Sequence, residues 1–173
     1  LVAAGAGAVA LSIPAKLAID FESAMADVKK VVDFDTPQQF KQMENDIISM
    51  STRLPMAARD IAAIYAAGGQ SGIAKNELTQ SAETAVKMGV AFDITAEESG
   101  QAMAEMRTAF KMSQSEVTTL ADKINYLGNN TPAAAKGIMD IVQRIGPLGE
   151  VGGFASGSIA ALGATIRGMG VAE

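Results

Sequence analysis

The stretch TAEESGQAMAEMRTAFKMSQSE, residues 95–116, decides the fold class of this chain. It opens and closes on a capping box, a Ser or Thr followed three residues later by Glu, in which the hydroxyl and the carboxylate satisfy free amide groups at a helix start. Between the boxes, three apolar residues follow helical spacing: Met103, Met106 and Phe110. The stretch therefore predicts one helix that starts at Thr95 and a second that starts at Ser113.

The same pattern continues on both sides of this stretch. Helix starts are expected at residues that cap or preorganise a first turn: Thr36-Pro37, Pro55, Asn76, Thr131-Pro132, and Ser156 or Ser158. Helix ends are expected before prolines and at glycines: near Arg53, Gly68-Gly69 with Gly72, Gly89, Gly128, Gly146-Pro147, and Gly168 with Gly170. Proline also predicts a kink or a break before Pro14, and residues 148–153 are too glycine-rich to predict a helix.

Apolar residues at helical spacing predict which side chains face the core. Besides the three already named, the predicted core residues are Ile19, Met25, Val28, Phe40, Met43, Ile47, Met50, Ile61, Ile64, Tyr65, Leu78, Ala82, Val86, Met88, Val117, Leu120, Ile124, Leu127, Ile138, Ile141, Val142, Ile145, Ile159, Leu162 and Ile166.

Strands are not expected, because alternating β-branched runs are absent. The predicted fold is all-α, a compact multi-helix domain of seven to eight short helices. We expect two parts: an apolar, Gly/Ala-rich helical segment over residues 1–19, continuous with an upstream region, and a helical domain over residues 20–173. Because residue 1 is Leu rather than Met, we also expect the chain to be part of a longer protein.

Composition limits the function. The formal net charge is −5, and the only adjacent basic pair is Lys29-Lys30, which argues against a protein that grips nucleic acid through clustered cations. The absence of Cys removes disulfides, thiolate catalysis and Cys-ligated metal, and His is absent as well. We therefore expect the function to come mainly from shape, contacts and assembly.

The first fifteen residues carry no charge. Pro14 and Lys16 interrupt this run short of the roughly 20 apolar residues that a membrane span needs, and the basic region of a signal peptide is missing. A helix packed in the interior or against a partner is favoured over a membrane segment. The small residues between Ala3 and Ala10 permit close helix contact, with disorder as the alternative.

The strongest enzymatic hypothesis is a pair of carboxylates acting as general acid and base, as in sugar hydrolysis. Most candidates lie in a first helical turn or on a polar helix face, where a carboxylate stabilises the helix without catalysing a reaction. We therefore expect no catalytic residue among them: Glu97, Glu98, Glu105, Glu116, Asp122 and Asp140.

Metal and phosphate sites are not expected either. The acidic residues Glu22, Asp27, Asp33 and Asp35 lack the spacing, central Gly and terminal Glu of a calcium loop. The glycine groups at residues 68–72 and 146–149 lack the Gly-Lys-Ser/Thr ending of a phosphate loop, and no strand precedes them.

Methionine is the residue type that suits an adaptable binding groove. Packing in the core is the main expectation, and contact of a rim subset with a partner helix is the alternative. The ten methionines are Met25, Met43, Met50, Met56, Met88, Met103, Met106, Met112, Met139 and Met169.

The order of several short motifs resembles the tail tape measure proteins of long-tailed bacteriophages, in the minor-tail domain that precedes their long helical ruler. The resemblance covers roughly residues 20–172, and no single motif is specific. The motifs are FESAMADV at 21–28, LP at 54–55, DIAAI at 60–64, GQSGI at 69–73, AETAVKMG at 82–89 with AF at 91–92, and ADKINY at 121–126.

This resemblance implies a structural virion protein rather than an enzyme, without cofactors. Such proteins lie in the lumen of the tail tube, take part in tail assembly and length determination, and leave during DNA ejection. The implied partners are the tail tube protein, the tail initiator or baseplate hub and assembly chaperones, with self-association and possible host membrane contact, and no sequence-specific DNA binding. The implied locations are the virion and, during assembly, the host cytoplasm.

The broken helices differ from the ruler region of this family, so the chain looks like its globular or anchoring portion. The alternative function is a membrane-active or secreted helical protein that uses its apolar N-terminal segment. A muralytic enzyme is a further hypothesis, since some members of the family carry such domains elsewhere.

Overall fold

The structure, a computed structural model, describes residues 5–151 and 155–169. Within these residues it contains eight α-helices and no strand, which confirms the predicted all-α fold. The boundary predicted at residue 19 lies within the first helix, and the division of the chain there stays a prediction. The helices are α1 (Gly5–Val31), α2 (Pro37–Arg53), α3 (Ala58–Gln70), α4 (Lys75–Phe92), α5 (Ala96–Ala109), α6 (Gln114–Asn130), α7 (Ala135–Val151) and α8 (Ser156–Gly168).

Helices α2, α5 and α6 begin where their caps predict. The Thr36 hydroxyl accepts a hydrogen bond from the Gln39 amide at 3.3 Å, and a proline follows it in the first turn. Thr95 and Ser113 each form a complete capping box with the glutamate three residues later. These bonds are local, so they fix the helix starts independently of the core.

Helix α3 lies at the centre of the amino-terminal half, where it packs against α1, α2, α4 and α5. It can approach four neighbours because most of its residues are Ala or Gly, while Ile61, Ile64 and Tyr65 are buried as predicted. In the carboxyl-terminal half, α7 packs on α5 and α6, and α8 packs on α7 and α6. One continuous cluster of buried apolar residues joins the two halves.

Most predicted core residues are buried or half-buried, but two are not. Ile19 is 64% exposed because residues 16–19 of α1 lie at the surface, whereas Met25 and Val28 farther along the helix are buried in the core. Leu162 is 51% exposed because α8 has neighbours on one side only. Periodicity finds the apolar stripe of a helix but not how far the surrounding helices cover it.

Several glycines predicted as helix ends lie inside helices instead. Gly68 and Gly69 lie in α3, and Gly89, Gly128 and Gly146 lie in α4, α6 and α7. These glycines allow close packing: a Cβ on Gly69 would lie 2.6 Å from the Val32 side chain. Gly72, with its φ of +79°, follows the end of α3 as predicted, whereas α4 ends at Asp93 in the left-handed region. Gly168 is the last residue of α8, whereas Gly170 lies outside the described residues.

Three predicted starts are also wrong. Pro55 lies in a turn in which the Met56 amide donates to the Leu54 carbonyl, so α3 begins later, at Ala58. Asn76 lies inside the first turn of α4, which starts at Lys75 after an extended Ala74 without a side-chain cap. The Thr131 hydroxyl donates to the Leu127 carbonyl at 2.8 Å and therefore ends α6 rather than capping α7.

Two prolines are accommodated within helices. Helix α1 runs without a break through Pro14, and at 27 residues it is not short. Helix α7 runs through Pro147 to Val151, including part of the glycine-rich segment for which no helix was predicted. A proline removes one hydrogen bond from a helix, and the turns on either side can still form. The last helix begins at Ser156, one of the two predicted positions, but its N-cap is Ala155 and no side chain caps it.

Candidate functional site: an interaction surface on helices α6 and α8

Among the candidate catalytic carboxylates, Glu98 has the most strongly lowered pKa, and its contacts are those of a structural residue. One of its oxygens accepts the Thr95 amide at 2.8 Å, and the other accepts the ammonium of Lys136 from α7 at 2.9 Å. The hydrogen bond from Lys136, and next the one from the Thr95 amide, lower the pKa of Glu98 from its ordinary 4.5 to about 2. A general acid working near neutral pH needs the opposite shift, so Glu98 serves as a cap and an interhelical ion pair.

The other candidates do not converge on one centre. Glu116 accepts the Ser113 hydroxyl at 2.7 Å, and this bond lowers the pKa of Glu116. Glu97 and Glu105 line one cavity of about 440 Å³ between α3 and α5, where Glu105 accepts amide donors from Gln101 and Gln143. Asp122 lies on α6 at a different cavity and Asp140 lies half-buried on α7. The absence of catalytic residues stays a prediction.

We expect the substitution Glu98→Gln to destabilise the fold at neutral pH and to have little effect near pH 2. Because the folded-state pKa of Glu98 is lowered, its ion pair with Lys136 stabilises the fold above the unfolded-state pKa, and this contribution is lost as the pH falls toward 2. Gln can keep the capping role, so the difference reports the ion pair. Urea unfolding of both proteins across this pH range measures it.

Glu97→Gln is the matched control, because it removes the same charge from the same first turn of α5. An equal loss of stability in both variants at neutral pH would mean that the helix dipole, rather than Lys136, is the source of the effect.

The acidic residues and the first glycine group have structural surroundings in the part of the chain that is described, and the absence of ligand sites there stays a prediction. No group of three or more Asp or Glu side chains in residues 5–151 and 155–169 is placed to hold a metal ion. Two of the four acidic residues considered for a calcium loop form ion pairs: Asp35 with Lys75 and Asp27 with Lys30, both at 2.7 Å. The glycines at 68–69 lie inside α3.

A buried polar cluster that the sequence did not reveal joins α4 to α6. The Gln114 amide nitrogen donates to the hydroxyls of Thr84 and Thr118 at 3.3 and 3.4 Å. Each hydroxyl also donates to a backbone carbonyl of its own helix, Thr84 to Gln80 and Thr118 to Gln114. The only sequence signal was the four-residue spacing of Gln114 and Thr118, which suits a structural contact as well as a site.

An exposed apolar surface lies between α6 and α8. Tyr126, which is 67% exposed, lines a groove of about 410 Å³ together with Leu127 on α6 and Gly157 and Ala161 on α8. The exposed Leu162 follows Ala161 along α8. We call these residues the α6–α8 face. Asp122 and Lys123 also line the groove, but Asp122 is the one candidate carboxylate among its described lining residues, whereas acid–base hydrolysis of a sugar needs two. The face therefore has the character of a contact surface.

The methionines are mostly core residues. Seven of the ten are buried: Met25, Met43, Met50, Met88, Met103, Met106 and Met139. Met56 and Met112 are half-buried against the core. Met169, just after α8, is exposed. Contact of a rim subset of methionines with a partner helix stays a prediction.

Two comparisons with known proteins bear on the family of this chain. A model of the family described as phage-related minor tail protein matches residues 44–173. The chain is also 32% identical, over an alignment of 172 residues that covers 92% of the chain, to a probable tape measure protein of Halomonas phage phiHAP-1. The chain belongs to the family of phage-related minor tail proteins.

Membership in this family, together with the alignment to the probable tape measure protein, confirms the resemblance seen in the sequence. It does not favour the membrane-active alternative, and no described helix is long and apolar enough to cross a bilayer. The chain spans 20% of the length of the Halomonas phage relative. No solved structure matches it.

Proposed function

We propose that this chain is a compact anchoring domain of a tape measure protein, which takes part in tail assembly and tail-length determination and leaves the tube during DNA ejection. The alignment carries the proposal, since 92% of the chain matches one fifth of a probable tape measure protein. A domain of this kind acts through contacts, which agrees with the absence of His and Cys from the sequence.

The packing supports an anchor rather than a ruler. Helices far apart in sequence contact each other, as α1 does with α3 and α5 with α7, so the chain folds back on itself. A domain of residues 20–173 is about 40 Å across by the usual scaling of compact chains, whereas the same residues in one straight helix would span about 230 Å. Length measurement therefore falls to other parts of the parent protein.

The proposed partners are the tail tube protein, the tail initiator or baseplate hub and the assembly chaperones. Self-association in the tube lumen and contact with the host membrane during ejection are part of the same proposal. The net charge of −5 suits a lumen through which DNA passes, because an acidic surface does not retain phosphate. The proposed locations are the tube lumen and, before assembly, the host cytoplasm.

Tandem duplication of residues 20–173 within the parent gene tests the anchor proposal. We expect tails that are longer by no more than about 40 Å, the width of one compact domain, or no complete tails if the extra copy blocks an anchoring contact. An increase near 230 Å, the length of a straight helix of these residues, would contradict it. Tail lengths are read from negatively stained particles, and a helical insertion of equal size in the remaining part of the parent protein is the control.

A further inference from the structure

We propose that a helix from the same polypeptide, outside residues 1–173, packs on the α6–α8 face. This inference rests on the proposed function, in which the chain is one domain of a longer tape measure protein. The first observation is the surface of α8. Its exposed positions are all uncharged: Ala155, Ser158, Ala161, Leu162, Thr165 and Gly168, followed by Met169.

A helix at a protein surface normally places charged residues on its outer side. Helix α2 does so, with Lys41 and Arg53 at exposed positions. Helix α8 has one charged residue, Arg167, and its guanidinium lies against Gly137 of α7 rather than on the outer side. The outer side of α8 therefore has the composition of a helix surface that is covered.

The groove beside α8 has the shape that a helix fits. Its α6 wall consists of residues three, four and seven positions apart, Thr119, Asp122, Lys123 and Tyr126 with Leu127, which is one helix face. Its α8 wall consists of Gly157 and Ala161. The Lys123 side chain lies against Gly157, and the small side chain of Ala161 leaves room for a close neighbour. Apolar anchors in such a groove, here Leu127 and Tyr126, are typical of helix-in-groove binding. The exposed Leu162 lies on the same uncharged side of α8.

The same polypeptide is the occupant that the observations favour. The relative from Halomonas phage is five times as long as the region that it shares with this chain, so most of such a protein lies outside it. The later helices pack mainly on those just before them, α7 on α6 and α8 on α7, as sequential elements usually do. A further helix of the polypeptide that packs on α8 continues this arrangement and covers its uncharged side.

Thiol labelling of the full-length polypeptide tests the inference, because residues 1–173 contain no Cys. Leu162→Cys and Val90→Cys are compared in a parent protein whose other cysteines are replaced by Ser. Leu162 and Val90 are a matched pair, 51% and 52% exposed in this domain. We expect the thiol at 162 to react with a maleimide at least about tenfold more slowly than the thiol at 90, because it reacts only when the covering helix opens. Equal rates would overturn the inference.

Ala161→Cys repeats the test at a second position of the α6–α8 face, in case one variant folds poorly. The slow reaction must persist on dilution from micromolar to nanomolar protein, since loss of protection would assign the face to a second copy and overturn the proposal. A photocrosslinking residue at Tyr126 identifies the occupant. A cross-link within one polypeptide to a segment outside residues 1–173 supports the inference, and one to another molecule overturns it.

This result is separable from the proposed function. Tail-length measurements on the duplicated gene test the anchor proposal without reference to the α6–α8 face. Equal thiol reactivity in a polypeptide that passes the tail-length test would remove only the docking inference. Protection in a polypeptide that fails that test would remove only the role in the tail.

Discussion

Replacement of Ile61 by Ala should destabilise the domain by about 2–5 kcal/mol, the usual cost of truncating a large aliphatic side chain in a core. Ile61 is fully buried in α3, the helix that packs against α1, α2, α4 and α5. The cavity left by the substitution therefore lies among several helices, which cannot all move inward to fill it. Because the free energy of unfolding of a domain is roughly 5–15 kcal/mol in total, this single change removes a large part of it.

Chemical denaturation followed by far-ultraviolet circular dichroism measures the loss. Ile48→Ala is the matched control, since Ile48 is an exposed isoleucine in α2, and its substitution should change stability by no more than about 0.5 kcal/mol. If Ile61→Ala and Ile48→Ala gave similar midpoints, α3 would not be the centre of the fold.

The helix starts that could be predicted from the sequence are those whose bonds are local. In the capping boxes at Thr95 and Ser113, the hydroxyl, the carboxylate and both amides lie within four residues of one another. All the groups that form the helix start are therefore present in the motif itself. Thr131-Pro132 resembles the start signal Thr36-Pro37, but the Thr131 hydroxyl bonds backward to Leu127. The same two residues can therefore end one helix or begin another, depending on what precedes them.

The α6–α8 face could be predicted only in part. Helical spacing placed Leu127, Ile159 and Leu162 on apolar stripes, but exposure of Leu162 depends on which helices surround α8. The interhelical bonds of the candidate site have the same limit: Lys136 and Glu98 are 38 residues apart, and no local pattern pairs them. The sequence does establish the lack of His and Cys, and this lack favours a function through contacts over catalysis.

Glycine shows most clearly how a residue can be read in two ways. A glycine near the end of an apolar stripe is typical of a helix stop, because it adopts left-handed backbone angles without strain. Gly72 has such a backbone, with φ at +79°. Gly128 lies inside α6 instead, and its hydrogen atom in place of a side chain lets the first residue of α7 approach.

Substitution of Gly128 by Ala should therefore destabilise the domain by about 1–3 kcal/mol, the usual cost of overpacking. The added Cβ would lie 2.7 Å from the Ala135 Cβ and 2.8 Å from its backbone nitrogen. Backbone atoms cannot rotate away as a flexible side chain can, so α6 and α7 would have to separate. Thermal unfolding of the purified protein measures the effect.

Gly100→Ala is the control that separates packing from helix propensity. Gly100 is also inside a helix, α5, but an added Cβ would meet its nearest atoms, on Ala67 and Ile64, at 3.4 Å, which is ordinary contact. Because Ala is favoured over Gly within a helix by about 1 kcal/mol, Gly100→Ala should be neutral or stabilising. If Gly128→Ala also stabilised the domain, Gly128 would act through local flexibility and the close approach of α6 to α7 would not constrain the fold.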